Sequence, residues 1–152
     1  MNLSSQLGYF VWNGSGAYSM TKFAVKNFSD SLRRELNRFG VRIANVCPVG
    51  YNKDSIEDER TVSDGLWNRL EDSLKSVYGD QDYYLMWKNR TADGLNQYLG
   101  HNTRLVLDDM KDAIVNCNPK EEYHPLDGPI AKFMGVINRC GPDFLLDLFN
   151  SY

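Results

Sequence analysis

The chain is poor in metal-binding and redox residues, with only three cysteines and two histidines in its whole length. Cys47, Cys117 and Cys140 are odd in number and far apart, and no CxxC pair occurs among them. That spacing excludes a zinc ribbon or a dithiol redox motif and fits a reduced, intracellular protein. His101 and His124 have no neighbours at ligand spacing, so no metal site is expected. No apolar run is long enough to suggest a membrane span, and the start of the sequence lacks the basic-then-apolar layout of a secretory signal. The net charge of -3 arises from acids and bases interspersed along the chain, which leaves no electrostatic footprint for nucleic acid or anionic lipid. Internal repeats and low-complexity blocks are absent as well.

What is present suffices for one ordinary domain. Of 152 residues, 42% are apolar and 12% aromatic, enough to bury a core and to make disorder a poor description. The strongest local signal follows Ser15, an expected N-cap. Met20, Ala24, Val25, Phe28, Leu32, Leu36 and Phe39 recur at helical spacing, and Gly40 is placed to stop the helix. The segment "VRIANVC" (41–47) is rich in β-branched residues and ends at Pro48, which predicts a strand. Helix, glycine, strand and proline in that order make half of a βαβ unit. Further on, Leu66, Leu70, Leu74 and Val77 predict a helix ending at Gly79, and residues 83–99 predict another, interrupted by Gly94. "TRLVLDDMKDAIVNCNP" predicts a helix stopping near Pro119, "EEYHP" a very short strand, and 130–137 and 144–149 two closing apolar segments.

The chemistry is concentrated near the beginning. Tyr18 and Lys22 are four residues apart on the expected helix, which puts both on one face, a turn apart. A free tyrosine titrates near pH ~10. A cation within reach favours the phenolate by roughly one to three units, turning an inert hydroxyl into a usable acid/base. The spacing alone decides nothing, because Tyr84 and Lys88 repeat it. Context separates the two pairs: thirteen residues before Tyr18 stands Ser5, followed by a glycine-containing connection, whereas the same offset from Tyr84 reaches Glu71 inside a helical pattern. A serine that holds a carbonyl oxygen beside a phenol that exchanges its proton can interconvert alcohols and ketones.

Taken together, "NLSSQLG", "GSGAYSMTKFAVKNFSDSLRREL" and "GVRIANVCP" resemble the catalytic segment of the short-chain dehydrogenase/reductase family. The later "LWNRLEDSLKSVYG" and "EYHPLDG" are similar to its branch of retinol, 17β-hydroxysteroid and D-β-hydroxybutyrate dehydrogenases. The resemblance is most specific over residues 2–48. It implies an α/β fold, the C-terminal half of a Rossmann-like doubly wound parallel sheet, mostly helical after residue 50. Residues 1–152 would then be a single partial domain holding the catalytic and substrate-cover half. It further implies Ser5 to orient the substrate carbonyl, Tyr18 as general acid/base and Lys22 to activate the phenol. NAD or NADP would carry the hydride, contacted by Tyr18, Lys22, Pro48, Val49 and Gly50. The implied substrate is a lipid-like secondary alcohol or ketone.

The sequence departs from that family at two points. A dinucleotide site needs a glycine-rich first βα turn at a helix N-terminus, and no GxGxxG occurs here. The chain therefore reads as lacking the N-terminal, dinucleotide-binding half, and by itself it is expected to be inactive. After the strand, where the family has Pro-Gly and then a threonine, this chain has Pro48-Val49-Gly50-Tyr51. The alternative reading is a truncated or non-catalytic interaction module that does not bind cofactor. A sheet without its first strands would expose an edge and make the isolated chain prone to association. The helix from 16 to 39 is the expected homodimer face, and the expected location is intracellular, either cytoplasmic or peripheral to an endomembrane or mitochondrial membrane.

Overall fold

A computed structural model of the chain describes residues 1–11, 14–51, 61, 64–79, 84–86, 88–89 and 100–140. The residues group into two compact units, 1–49 with 100–152, and 50–99.

The larger unit is built on a three-stranded parallel sheet, β1 (Asn2–Leu3), β2 (Asn45–Val46) and β3 (Glu122–Tyr123), in the order β1-β2-β3. Asn2 and Leu3 sit opposite Asn45 and Val46, which in turn face Glu122 and Tyr123. Parallel neighbours require long crossovers, and helix α1 (Gly16–Leu36) supplies the one between β1 and β2. The predicted strand at 41–47 is shorter than its sequence signal. Residues 41 and 42 are exposed, and the ladder closes only around Asn45–Val46, through Asn2 N–H to Ala44 O and Cys47 N–H to Tyr123 O.

Helix α1 begins where expected, although Ser15 does not cap it through its side chain; the Ser15 hydroxyl lies 3.1 Å from that of Ser19. A short 3-10 turn, Asn37–Phe39, follows the helix, and Gly40 ends it at φ 72°, a left-handed conformation that glycine adopts without a Cβ clash. The face that α1 turns inward carries serines. Ser19 and Ser29 are its buried residues, and Asn2 Nδ2 donates to Ser29 Oγ at 2.9 Å. Small side chains let the helix lie close to β1. The apolar stripe that announced the helix is only partly covered: Val25, Leu32 and Leu36 are half-buried, while Met20 is 69% and Phe28 59% exposed.

The core of this unit is Ala44, Val46 and Tyr123, packed against Met110 and Ala113 of the helix Arg104–Val115. Tyr123 also donates its hydroxyl to Asp112 Oδ2 at 2.6 Å and accepts from Lys120 N–H, tying strand to helix. That helix ends at Asn116, earlier than Pro119 suggested, because Asn116 turns extended and its side chain bonds back to Asp112. The predicted short strand at "EEYHP" is β3. The helix Gly128–Cys140 contains the apolar segment expected at 130–137, and the segment at 144–149 lies outside the described residues.

In the unit 50–99, residues 64–69 are helical and a second helix spans Asp72–Tyr78. The continuous helix expected from Leu66 to Val77 is broken at Glu71, whose backbone is extended (φ -64°, ψ 147°). Most of the helix expected at 83–99 lies outside the described residues. Among the described residues, no helix is long and apolar enough to cross a membrane.

Candidate functional site

Because the three strands are parallel, their C-terminal ends lie along one edge of the sheet. Ligand sites of open α/β sheets form outside that edge. Ser4, Ser5 and Gln6 follow β1, Cys47 and Pro48 follow β2, and His124 follows β3.

Ser5 is buried, 8% exposed, and starts the 3-10 turn Gln6–Gly8 from an extended backbone. Its Oγ accepts the Leu7 N–H at 3.2 Å and donates to Pro48 O at 3.4 Å. Gln6 N–H donates to the same carbonyl at 3.0 Å. Ser5 and Pro48 are thus brought together at the sheet edge. Val49 is half-buried and Gly50 exposed.

Tyr18 lies in the first turn of α1, 49% exposed, and the Lys22 ammonium sits 5.4 Å from its ring centroid. A cation over a phenol ring at that distance is attracted by the ring quadrupole. Among the described residues Lys22 has no ion-pair partner. The turn that carries Ser5 is joined to this helix through Ser4, whose Oγ donates to Lys22 O at 2.9 Å. No hydrogen bond links the Ser5 hydroxyl itself to Tyr18 or Lys22 among the described contacts.

The competing pair has a different environment. Tyr84 donates to Asp64 at 3.1 Å, Lys88 forms an ion pair with the same Asp64, and Trp67 stacks on the Tyr84 ring with centroids 4.5 Å apart. Burial and the adjacent Asp64 push the Tyr84 phenol up to about 12. A phenol bonded to a carboxylate keeps its proton, so Tyr84 is unsuited to acid/base exchange near neutral pH.

Sequence reading missed a second polar group at the same strand ends. Gln6 Nε2 donates to Cys47 O at 2.7 Å and lies 2.9 Å from His124 Nδ1. His124 Nε2 is 3.3 Å from Glu122 Oε2, and Lys26 approaches Glu122 Oε1 at 3.6 Å while pairing with Asp30 at 2.8 Å. Tyr9 packs edge-on against His124, with its hydroxyl 3.7 Å from Cys47 Sγ. Burial raises the Tyr9 phenol far above its ordinary range, helped by Glu122 and Cys47. Burial pushes the Cys47 thiol up to about 11. His124 is lowered, by burial first and then by Arg139. Lys26 is raised because Asp30 and Glu122 outweigh a burial effect that acts the other way. Among the described residues, no group of three or more His, Cys, Asp or Glu side chains could hold a metal ion.

Comparison with known proteins finds sequence similarity to one family. A family profile described as short chain dehydrogenase matches residues 1–62. The chain is similar to retinol dehydrogenase 16 of Rattus norvegicus, 35% identical over 97% of this chain and 45% of that protein. It is also similar to retinol dehydrogenase 7 of Rattus norvegicus, at 33% identity with the same coverage. Short-chain dehydrogenase/reductase family 9C member 7 of Homo sapiens is 32% identical over 98% of this chain and 48% of its own length. The chain thus spans about half the length of the curated relatives it matches. No solved structure gives a significant match.

Proposed function

The chain belongs to the short-chain dehydrogenase/reductase family, and from that membership we propose that it serves oxidation of a lipid-like secondary or primary alcohol, retinol being the first to test, through Ser5, Tyr18 and Lys22. The observation that carries the reading is the pairing of an exposed phenol with an ammonium one helical turn on, beside the turn that bears Ser5. Tyr18 takes the proton from the alcohol oxygen, or returns it to the carbonyl in the reverse direction. Lys22 stays near the phenol and stabilises its negative charge. Ser5 orients the same oxygen by exchanging its bond to Pro48 O for one to substrate. At 3.4 Å that bond is long and weak, so little is lost in the exchange.

The residues present fit one end of a nicotinamide cofactor. Lys22, without an ion-pair partner among the described residues, and the exposed Tyr18 suit the ribose hydroxyls, and Pro48, Val49 and Gly50 are proposed beside the nicotinamide. When bound, NAD or NADP would supply the hydride acceptor that no side chain provides. Placement at an endomembrane surface, with peripheral contact, follows from the same reading. So does association of two copies through the exposed Met20, Ala24 and Phe28 of α1.

A second reading is a non-catalytic interaction module, favoured by the lack of any GxGxxG segment to cradle a pyrophosphate. Titrating the chain with NADH and with NADPH, read by nucleotide fluorescence, separates the two. Saturable binding that Lys22→Ala weakens supports the dehydrogenase; no saturable binding of either nucleotide supports the module.

A further inference from the structure

The Gln6 side chain has only one orientation compatible with its neighbours. Its terminal atom lies 2.7 Å from Cys47 O, which can only accept, so that atom is the NH2 nitrogen. The second proton of that nitrogen points to His124 Nδ1 at 2.9 Å, which must therefore present a lone pair. The imidazole proton then resides on Nε2, where Glu122 Oε2 at 3.3 Å accepts it. Three contacts fix one neutral tautomer and one amide orientation. Gln6 Oε1 is buried and has no hydrogen-bond partner among the described residues, so none of these holds the amide from the acceptor side.

We propose that Gln6 and His124 are positioning residues for Ser5: neutral His124 holds the Gln6 side-chain amide so that it ties the Ser5 turn to Cys47 O, and protonation at Nδ1 releases that tie. The assignment of Ser5 rests on the dehydrogenase reading; the tie itself does not. A proton on Nδ1 would face the Gln6 NH2, donor against donor. Gln6 cannot answer by rotating its amide, because Oε1 would then meet Cys47 O. One of the two bonds is lost either way. Gln6 follows Ser5 directly, and its backbone N–H and the Ser5 hydroxyl share Pro48 O, so losing the side-chain anchor on Cys47 O loosens the turn and moves the serine hydroxyl.

The charged and titratable groups around His124 come from every element packed on it. Glu122 of β3 favours the imidazolium, whereas Arg139 of the helix Gly128–Cys140 and Lys26 of α1 disfavour it. Tyr9 and Cys47 hold their protons and remain neutral. Burial adds to the cations, so the neutral form dominates at physiological pH.

The test is an NMR titration of the full chain, using nitrogen-15 correlations of the two histidine rings and of the backbone amides. The tie requires His124 to be the Nε2-protonated tautomer at pH ~7.5, to titrate below the ordinary histidine midpoint of about 6.5, and to carry the Gln6 and Leu7 amide shifts with the same midpoint. His124→Asn, whose amide oxygen can accept from Gln6 but does not titrate, should keep both amides at their high-pH positions across the range. An Nδ1-protonated ring, or Gln6 and Leu7 amides that do not follow it, overturns the proposal even if His124→Asn fails to fold. Ser5→Ala separates this from the dehydrogenase reading, since it should leave the His124 tautomer unchanged whether or not it alters alcohol oxidation.

Discussion

Ser4 and Lys22 are joined by a hydrogen bond of 2.9 Å from the serine hydroxyl to the lysine carbonyl, and this bond sets the approach of the Ser5 turn to the helix bearing Tyr18. The two adjacent serines divide the work: Ser4 holds backbone, and Ser5 is left for the sheet edge. Gly8 closes the same contact, since a Cβ there would fall 2.9 Å from Ser4 Oγ and 3.0 Å from Lys22 O.

Gly8→Ala is therefore expected to destabilise the chain by about 1–3 kcal/mol, the usual range for overpacking a tight site. The urea midpoint checks it. An unchanged midpoint would mean that the turn and the helix are not in close contact.

The three cysteines differ in environment. Cys117 and Cys140 are exposed, while Cys47 is buried, with its thiol pushed up to about 11 by that burial. Reaction of a thiol requires the thiolate and access to it. A disulfide reagent at pH ~8 should label the exposed pair in the native chain and Cys47 only after unfolding. Prompt labelling of all three would place Cys47 elsewhere.

His124 gives a pH dependence of definite sign. Its folded value is lowered, by burial and then Arg139, so the unfolded chain takes up a proton near pH ~6.5 that the folded chain does not. More protons bound in the unfolded state means that stability falls as pH drops from about 6.5 towards the lower folded value, and levels off below it. Denaturant midpoints for the wild type and His124→Asn, compared between pH ~7.5 and ~5, should show the steeper fall in the wild type. Parallel curves would remove His124 from the account.

The outward stripe of α1 predicts association. Phe28 is 59% exposed and lies one turn from Ala24 and two from Met20. If two copies meet there, Phe28→Asp should shift a dimer to monomer in sedimentation analysis. A wild-type chain that is already monomeric at high concentration would contradict the homodimer.

The elements that were legible in the sequence are those whose cause is local. The run from Met20 to Leu36 and the stop at Gly40 follow from spacing and from glycine's left-handed backbone, and both appear. The periodicity gave no warning of which side was most deeply buried, because the fully buried residues of the helix are Ser19 and Ser29, while the apolar stripe is at best half-buried. The break at Glu71 was hidden as well, since Leu66, Leu70 and Leu74 keep their spacing across an extended residue. Tyr18 and Lys22 could be singled out because their relation is one helical turn. Gln6 and His124 could not, being 118 positions apart; they meet only because β1 and β3 flank β2 in parallel, which brings their C-terminal ends to one edge. What would have pointed to them is a buried amide next to the candidate serine, a feature visible only once burial is known.

The most direct test compares the two tyrosine–lysine pairs in one assay. All-trans-retinol oxidation with NAD or NADP is measured for the wild type, Tyr18→Phe and Tyr84→Phe. The dehydrogenase account predicts a loss of about 10²–10⁴ in turnover for Tyr18→Phe and a rate close to wild type for Tyr84→Phe, whose phenol Asp64 keeps protonated. Equal effects of the two substitutions, or full turnover by Tyr18→Phe, would contradict it.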